Sequence, residues 1–150
     1  MIPALVASLL IGNSVAAAAP LSSQSGTISS TQNGSDGKPE WKVSGTWKFT
    51  NLSSNSPTFN ASFDMMKLDD SSKHKHTIDA TITSADFSRA GKSSVRTYSG
   101  TATISMKEGP VSDVPITIKL SSDGNISIKP DPIKTQGHFG NTLIEGMTNV

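Results

Sequence analysis

The side chains able to do chemistry are few, and they gather in short stretches. The run Met65–His76 reads Met-Met-Lys-Leu-Asp-Asp-Ser-Ser-Lys-His-Lys-His, and it holds two of the three histidines and two of the five methionines. The third histidine lies in His138-Phe139-Gly140. Neutral imidazole suits Zn²⁺, Cu²⁺ or Cu⁺, and a thioether shifts the choice toward Cu⁺. His74 and His76 form a His-x-His pair, which on a strand offers two ligands from one face. A loop histidine, His138, can close a third position, with Met65 or Met106 as soft ligands for copper. Asp69, Asp70 or Glu108 are candidates to orient an imidazole from behind. If a coordination position stayed open, hydrolytic or redox chemistry would become possible. The plainer expectation is that histidines at a hairpin tip are solvated and that the two methionines fill the end of a core.

Other chemistry is poorly supplied. The chain has no cysteine, so it offers no disulfide framework, no thiolate metal site and no cysteine nucleophile. Serine is abundant, but no Gly-x-Ser-x-Gly elbow occurs. The paired carboxylates Asp69-Asp70 sit where a turn wants polar residues anyway. No Gly-rich phosphate loop precedes a helix. No acid–base pair is identifiable, so the expectation is a binding protein rather than an enzyme, with no catalytic residue assigned. A formal net charge of +1 with scattered basic residues removes the electrostatic case for nucleic acid.

The elements that must position the histidines show a period of two. Trp41, Val43, Gly45, Trp47 and Phe49 alternate with Lys42, Ser44, Thr46, Lys48 and Thr50, the pattern of a half-buried strand. Further strands put Phe59, Ala61, Phe63 and Met65 on one face, then Ile78, Ala80 and Ile82, then Tyr98, Gly100, Ala102, Ile104 and Met106. Val114, Ile116, Ile118 and Leu120 follow, then Ile126 and Ile128, and a last strand near Thr142–Thr148. Turn residues separate them at Asn55-Ser56-Pro57, Asp69–Lys73, Ala90-Gly91-Lys92, Glu108-Gly109-Pro110 and Asp123-Gly124-Asn125. No segment has a helical period. The pattern predicts an all-β fold: an antiparallel meander of seven to eight strands, forming a closed or partly closed barrel. The alternative is a two-layer β-sandwich.

Parity then constrains the histidines. On the third of these strands His74 and His76 share the inward face with Ile78, Ala80 and Ile82. A hairpin turning near Asp70-Ser71 sets Met65 opposite His76, and a hairpin centred near Gly91 brings Met106 beside His76. Registers two residues away keep the same parity. In a meander, alternate strands end at the same pole, so the loop over Pro130–Asn141 starts where Met65, His74, His76 and Met106 end. His138 lies in that loop, and Phe139 is placed to anchor it over the barrel mouth.

The N-terminal part reads differently. Ile2–Ile11 is almost wholly apolar, and Val15 is followed by Ala16-Ala17-Ala18-Ala19, which predicts a signal peptide over 1–18. An uncleaved anchor is the alternative, and no later segment is apolar enough to cross a membrane. Residues 19–40, rich in Ser, Gly, Gln, Asn and Thr, predict a flexible polar leader, with a short strand possible around Gly26–Ser30. A single all-β domain is expected over 41–150. Asn33, Asn51, Asn60 and Asn125 each head an N-x-Ser sequon, which suits an exported glycoprotein.

Two resemblances follow from these motifs. Gly45-Thr46-Trp47 resembles the Gly-x-Trp that opens lipocalin-type barrels, where the Trp packs across the barrel base. That implies an apolar ligand cavity if the interior is open. Gly100, Ala102, Ala61 and Ala80 make an inward small-residue patch that suits either a cavity wall or a layer filled by Trp41 and Trp47. The runs His74–Ile78, Gly100–Val111, Val114–Ile118 and His138–Thr142 resemble small exported proteins of ammonia-oxidising archaea, over roughly Trp41 to Gly146. That group has no assigned activity. The resemblance implies an extracytoplasmic protein in a copper-demanding cell with a glycosylated surface. The resulting expectation is an exported binding protein, secreted or associated with the cell surface, holding a copper or zinc ion through His74, His76 and His138. A cell-surface structural or adhesive module, and a binder of small apolar ligands, are the alternatives.

Overall fold

The computed structural model describes residues 22–150; the apolar segment read as a signal peptide lies outside them. Eight antiparallel strands run in sequence order: β1 (Ser23–Asn33), β2 (Pro39–Thr50), β3 (Thr58–Lys67), β4 (Lys73–Ala90), β5 (Ser93–Ile104), β6 (Val111–Ser121), β7 (Asn125–Pro130) and β8 (Ile144–Thr148). Each strand pairs with its neighbours in sequence, and β1 pairs with β8, so the sheet is a closed barrel and not a sandwich. No helix among the described residues is long and apolar enough to cross a membrane.

The alternation seen in the sequence is the alternation of burial. Val43, Trp47 and Phe49 of β2, Phe59, Phe63 and Met65 of β3, and Ile78 and Ile82 of β4 are buried, as are Ile104, Ile116, Ile118, Ile126 and Ile128 farther along. Each such side chain taken out of water contributes about 1.5–3 kcal/mol. Trp47, Phe49, Phe59 and Tyr98 pack together toward one pole, with Phe49 centroids 4.8 Å from Phe59 and 4.7 Å from Tyr98. Ala61, Ala80 and Ala102 are buried in the same cluster, so the small-residue patch belongs to a packed core. A Cβ at Gly45 would strike the Ser62 carbonyl and the Phe63 backbone, so glycine there lets β2 and β3 approach. Two residues on, the Trp47 indole N–H donates to the Met147 carbonyl at 3.3 Å, tying β2 to β8 across the barrel end.

One correction concerns the N-terminal leader. Ser23–Asn33 is an eleven-residue strand and not a flexible segment. It pairs with β2 from Ser23↔Thr50 to Asn33↔Pro39 and closes on β8 at Gly26↔Thr148 and Ile28↔Gly146. Its inward positions are Gly26, Ile28, Ser30 and Gln32, of which only Ile28 is a large hydrophobe, so the hydrophobic alternation was too thin to read. Its neighbours supply what it lacks: Trp47 packs against Gly26, and β2 and β8 satisfy its backbone.

Candidate metal centre

The turns place every inter-strand connection at one of two poles. The β1–β2, β3–β4, β5–β6 and β7–β8 connections share a pole, and this is where the histidines meet. In the β3–β4 turn Lys67 N–H donates to the Ser72 carbonyl, Asp70 takes a left-handed conformation (φ 59°), and the Asp69 carboxylate accepts from Ser71 N–H. This turn sets Met65 opposite His74 and Phe63 opposite His76. The facing is therefore displaced by two residues from the expected Met65–His76 pair, and parity is kept because a four-residue loop, Leu68–Ser71, closes the hairpin.

His74 and His76 leave β4 on its inward face. His76 is buried, His74 is half-buried, and His138 is exposed at its outer edge. Their ring centroids form a near-equilateral triangle, 4.8 Å from His74 to His76, 5.3 Å from His74 to His138 and 4.7 Å from His76 to His138. One nitrogen from each ring lies within 4.8 Å of the other two. Ligands held tetrahedrally about 2.0–2.1 Å from an ion stand about 3.3 Å apart. The His76–His138 Nε2 pair, at 2.9 Å, is already a little tighter than this. The widest separation, within 4.8 Å, must close by up to about 1.5 Å to reach that geometry.

The hydrogen bonds fix the tautomers. His76 Nδ1 lies 2.7 Å from the Ser105 carbonyl, which can only accept, so Nδ1–H donates. In the neutral ring Nε2 then carries the lone pair, and His138 Nε2–H donates to it. Metal binding at both Nε2 atoms would require His138 to shift its proton to Nδ1. On the third ring, His74 Nε2 is buried and has no hydrogen-bond partner. A buried polar atom without a partner is costly, and this one sits beside two other imidazoles.

The surroundings are aromatic. Trp41 meets His74 edge-on at 4.9 Å, Phe63 lies 5.7 Å from His76, and Phe139 lies 5.0 Å from His76 and 5.1 Å from His138. Burial pushes all three histidines below the ordinary value of 6.5. At His76 the Ser105 carbonyl opposes that shift and a charged His74 would add to it; at His138 charges on His76 and His74 would add to it. The rings are therefore held neutral, the form that binds metal.

The β7–β8 loop, residues 131–143, carries His138 to the site. Phe139 is buried under it and packs 6.0 Å from Phe63. Buried Gln32 clamps its far end: Thr142 Oγ1 donates to Gln32 Oε1 at 2.6 Å, and Gln32 Nε2 donates to the Leu143 carbonyl at 3.1 Å. Asp131 starts the loop, its N–H donating to the Pro115 carbonyl. His138 stands between two clefts, one of about 480 Å³ beside Glu40 and Trp41 and one of about 270 Å³ beside Met106 and Thr135. Both clefts reach the site at His138.

No protein-family model, curated protein or solved structure matches the chain. Met65 is buried directly across the ladder from His74, and Met106 lies past the end of β5, bordering the cleft it shares with His138. Among the described residues, neither ion pair involves an imidazole. Asp69 instead accepts from Ser71, so the group that orients His76 is the Ser105 carbonyl and not a carboxylate. A backbone partner leaves no trace in side-chain identity. Trp41 against His74 was open to deduction, since it shares the inward parity of Val43 at the same pole. The Gln32 clamp had no sequence signal.

Proposed function

We propose that this protein binds a metal ion, copper or zinc, through His74, His76 and His138. The observation that supports this most strongly is the convergence of three imidazoles, one nitrogen of each lying within 4.8 Å of the other two, on a ring set whose His74 Nε2 is buried and unpartnered. Histidines that were merely solvated would point their nitrogens at water. Buried histidines with a purely structural role usually have their ring nitrogens hydrogen-bonded. Here one nitrogen is held out of water with nothing to bond, in a ring set kept neutral by an aromatic wall, and an ion would satisfy it. The barrel fixes two ligands on a strand, and the clamped loop brings the third. In the cell we place this binding outside the cytoplasm, on the strength of the apolar N-terminal segment and its run of alanines.

The test is titration of the full chain with Cu⁺, Cu²⁺ and Zn²⁺ under a competing chelator, beside His138→Ala. One ion retained per chain, and lost in a variant with unchanged far-ultraviolet dichroism, is the expected result. Retention of none of the three ions would overturn the reading.

A second reading, a cell-surface adhesive module, has one observation in its favour. β4 continues to Ala90 well past Thr81, its last residue paired with β3 (opposite Thr58), and Phe87 is 59% exposed there. This overhang offers an unpaired edge to a neighbouring strand. Crosslinked oligomers that vanish on Phe87→Lys would favour it.

A further inference from the structure

Building on the metal-binding reading above, we propose that the centre selects a soft monovalent ion, copper(I), over zinc(II) and copper(II). Imidazole alone does not choose among these ions, since it suits all of them. The surroundings decide. All three donors are neutral, and no aspartate or glutamate belongs to the group. The partner that orients His76 is a neutral backbone carbonyl. The charge of the filled site is therefore the charge of the ion itself.

That charge would sit against Trp41, Phe63 and Phe139. The cost of moving an ion out of water rises with the square of its charge, so a dication meets about four times the penalty of a monocation. Zinc(II) would have to bring in a hydroxide or another anion to lower its charge. Copper(I) needs no such partner.

Coordination number points the same way. The near-equilateral ring triangle supplies three nitrogens, a set that copper(I) accepts as complete. Copper(II) prefers a tetragonal arrangement with further donors, and the faces around the rings are aromatic. The soft group nearest in register is the Met65 thioether, opposite His74 on the adjacent strand. Thioether surroundings favour copper(I) over harder ions.

The experiment is anaerobic competition on the full chain. The protein is loaded with Cu(I) in the presence of bicinchoninate and then challenged with a roughly hundredfold excess of Zn(II). In parallel, it is loaded with Zn(II) or Cu(II) and challenged with one equivalent of Cu(I). We expect one Cu(I) per chain to survive the excess and to displace either dication. The copper absorption edge should show a three-coordinate nitrogen site. Displacement of Cu(I) by zinc, or retention of copper only as tetragonal Cu(II) with its paramagnetic signal, would overturn the selectivity and leave metal binding intact. Failure to hold any ion would remove both.

Discussion

At the scale of single residues, the three histidines should differ when changed. His74 Nε2 has no partner in the metal-free protein, so removing it relieves a desolvation cost of about 1 kcal/mol or more. His74→Phe keeps a ring against Trp41. We expect it to leave the metal-free melting temperature unchanged or higher and to abolish the metal-induced rise, as followed by calorimetry with and without ion. A fall in the metal-free melting temperature would mean that the nitrogen is satisfied in solution. The same rings give a pH dependence. All three have folded values below 6.5, so between the unfolded and folded values the unfolded chain binds more protons. Stability from these groups is complete above about pH 6.5 and is lost as pH falls through the depressed values. Urea midpoints measured from pH 7.5 down to 5 should decline, and the decline should flatten in a variant with His74 and His76 replaced by Phe. Metal affinity should weaken over the same window, because protons compete for the same nitrogens.

At the scale of elements, the β7–β8 loop and the β2–β3 pair carry the consequences. Thr142→Val removes the donor to buried Gln32 Oε1 and should cost about 1–3 kcal/mol. Because this clamp holds the loop bearing His138, metal affinity should fall as well, and chelator competition on the variant would show it. Unchanged affinity would mean that Phe139 alone positions the loop. Gly45→Ala drives a methyl into the β3 backbone and should cost about 1–3 kcal/mol through strand displacement. Trp41 meets His74 at 4.9 Å, whereas Trp47 lies in the packed core toward the other pole. Ion binding should therefore quench the fluorescence of wild-type protein and of Trp47→Phe, but not that of Trp41→Phe.

At the scale of the whole molecule, the barrel has two unlike ends. One is packed with Trp47, Phe49, Phe59 and Tyr98, and the other carries the histidines. Changes at separate ends should add. Trp47→Phe loses the bond to the Met147 carbonyl and should destabilise by about 1–2 kcal/mol with unchanged metal affinity. A bound ion, in turn, should stabilise the fold by mass action, about 2.7 kcal/mol at a hundredfold excess over Kd.

What the amino-acid order determined was everything local. Alternation marked seven of the eight strands and their inward faces, because the pleat points side chains two apart to the same side. Turn residues located the hairpins, and the meander put Met65, His74, His76 and His138 at one pole. What only the tertiary structure decided was non-local. β1 is a strand because β2 and β8 flank it, not because Ser23–Asn33 is hydrophobic. The choice between Met65–His76 and Met65–His74 pairing kept the same parity and was made by the four-residue turn. The buried His74 nitrogen, the 2.9 Å approach of His76 and His138, and the Ser105 carbonyl behind them arise only when barrel closure and the Gln32 clamp draw distant segments together. Period-two patterning reports which face a residue occupies, and it carries no information about which distant atom will meet it there.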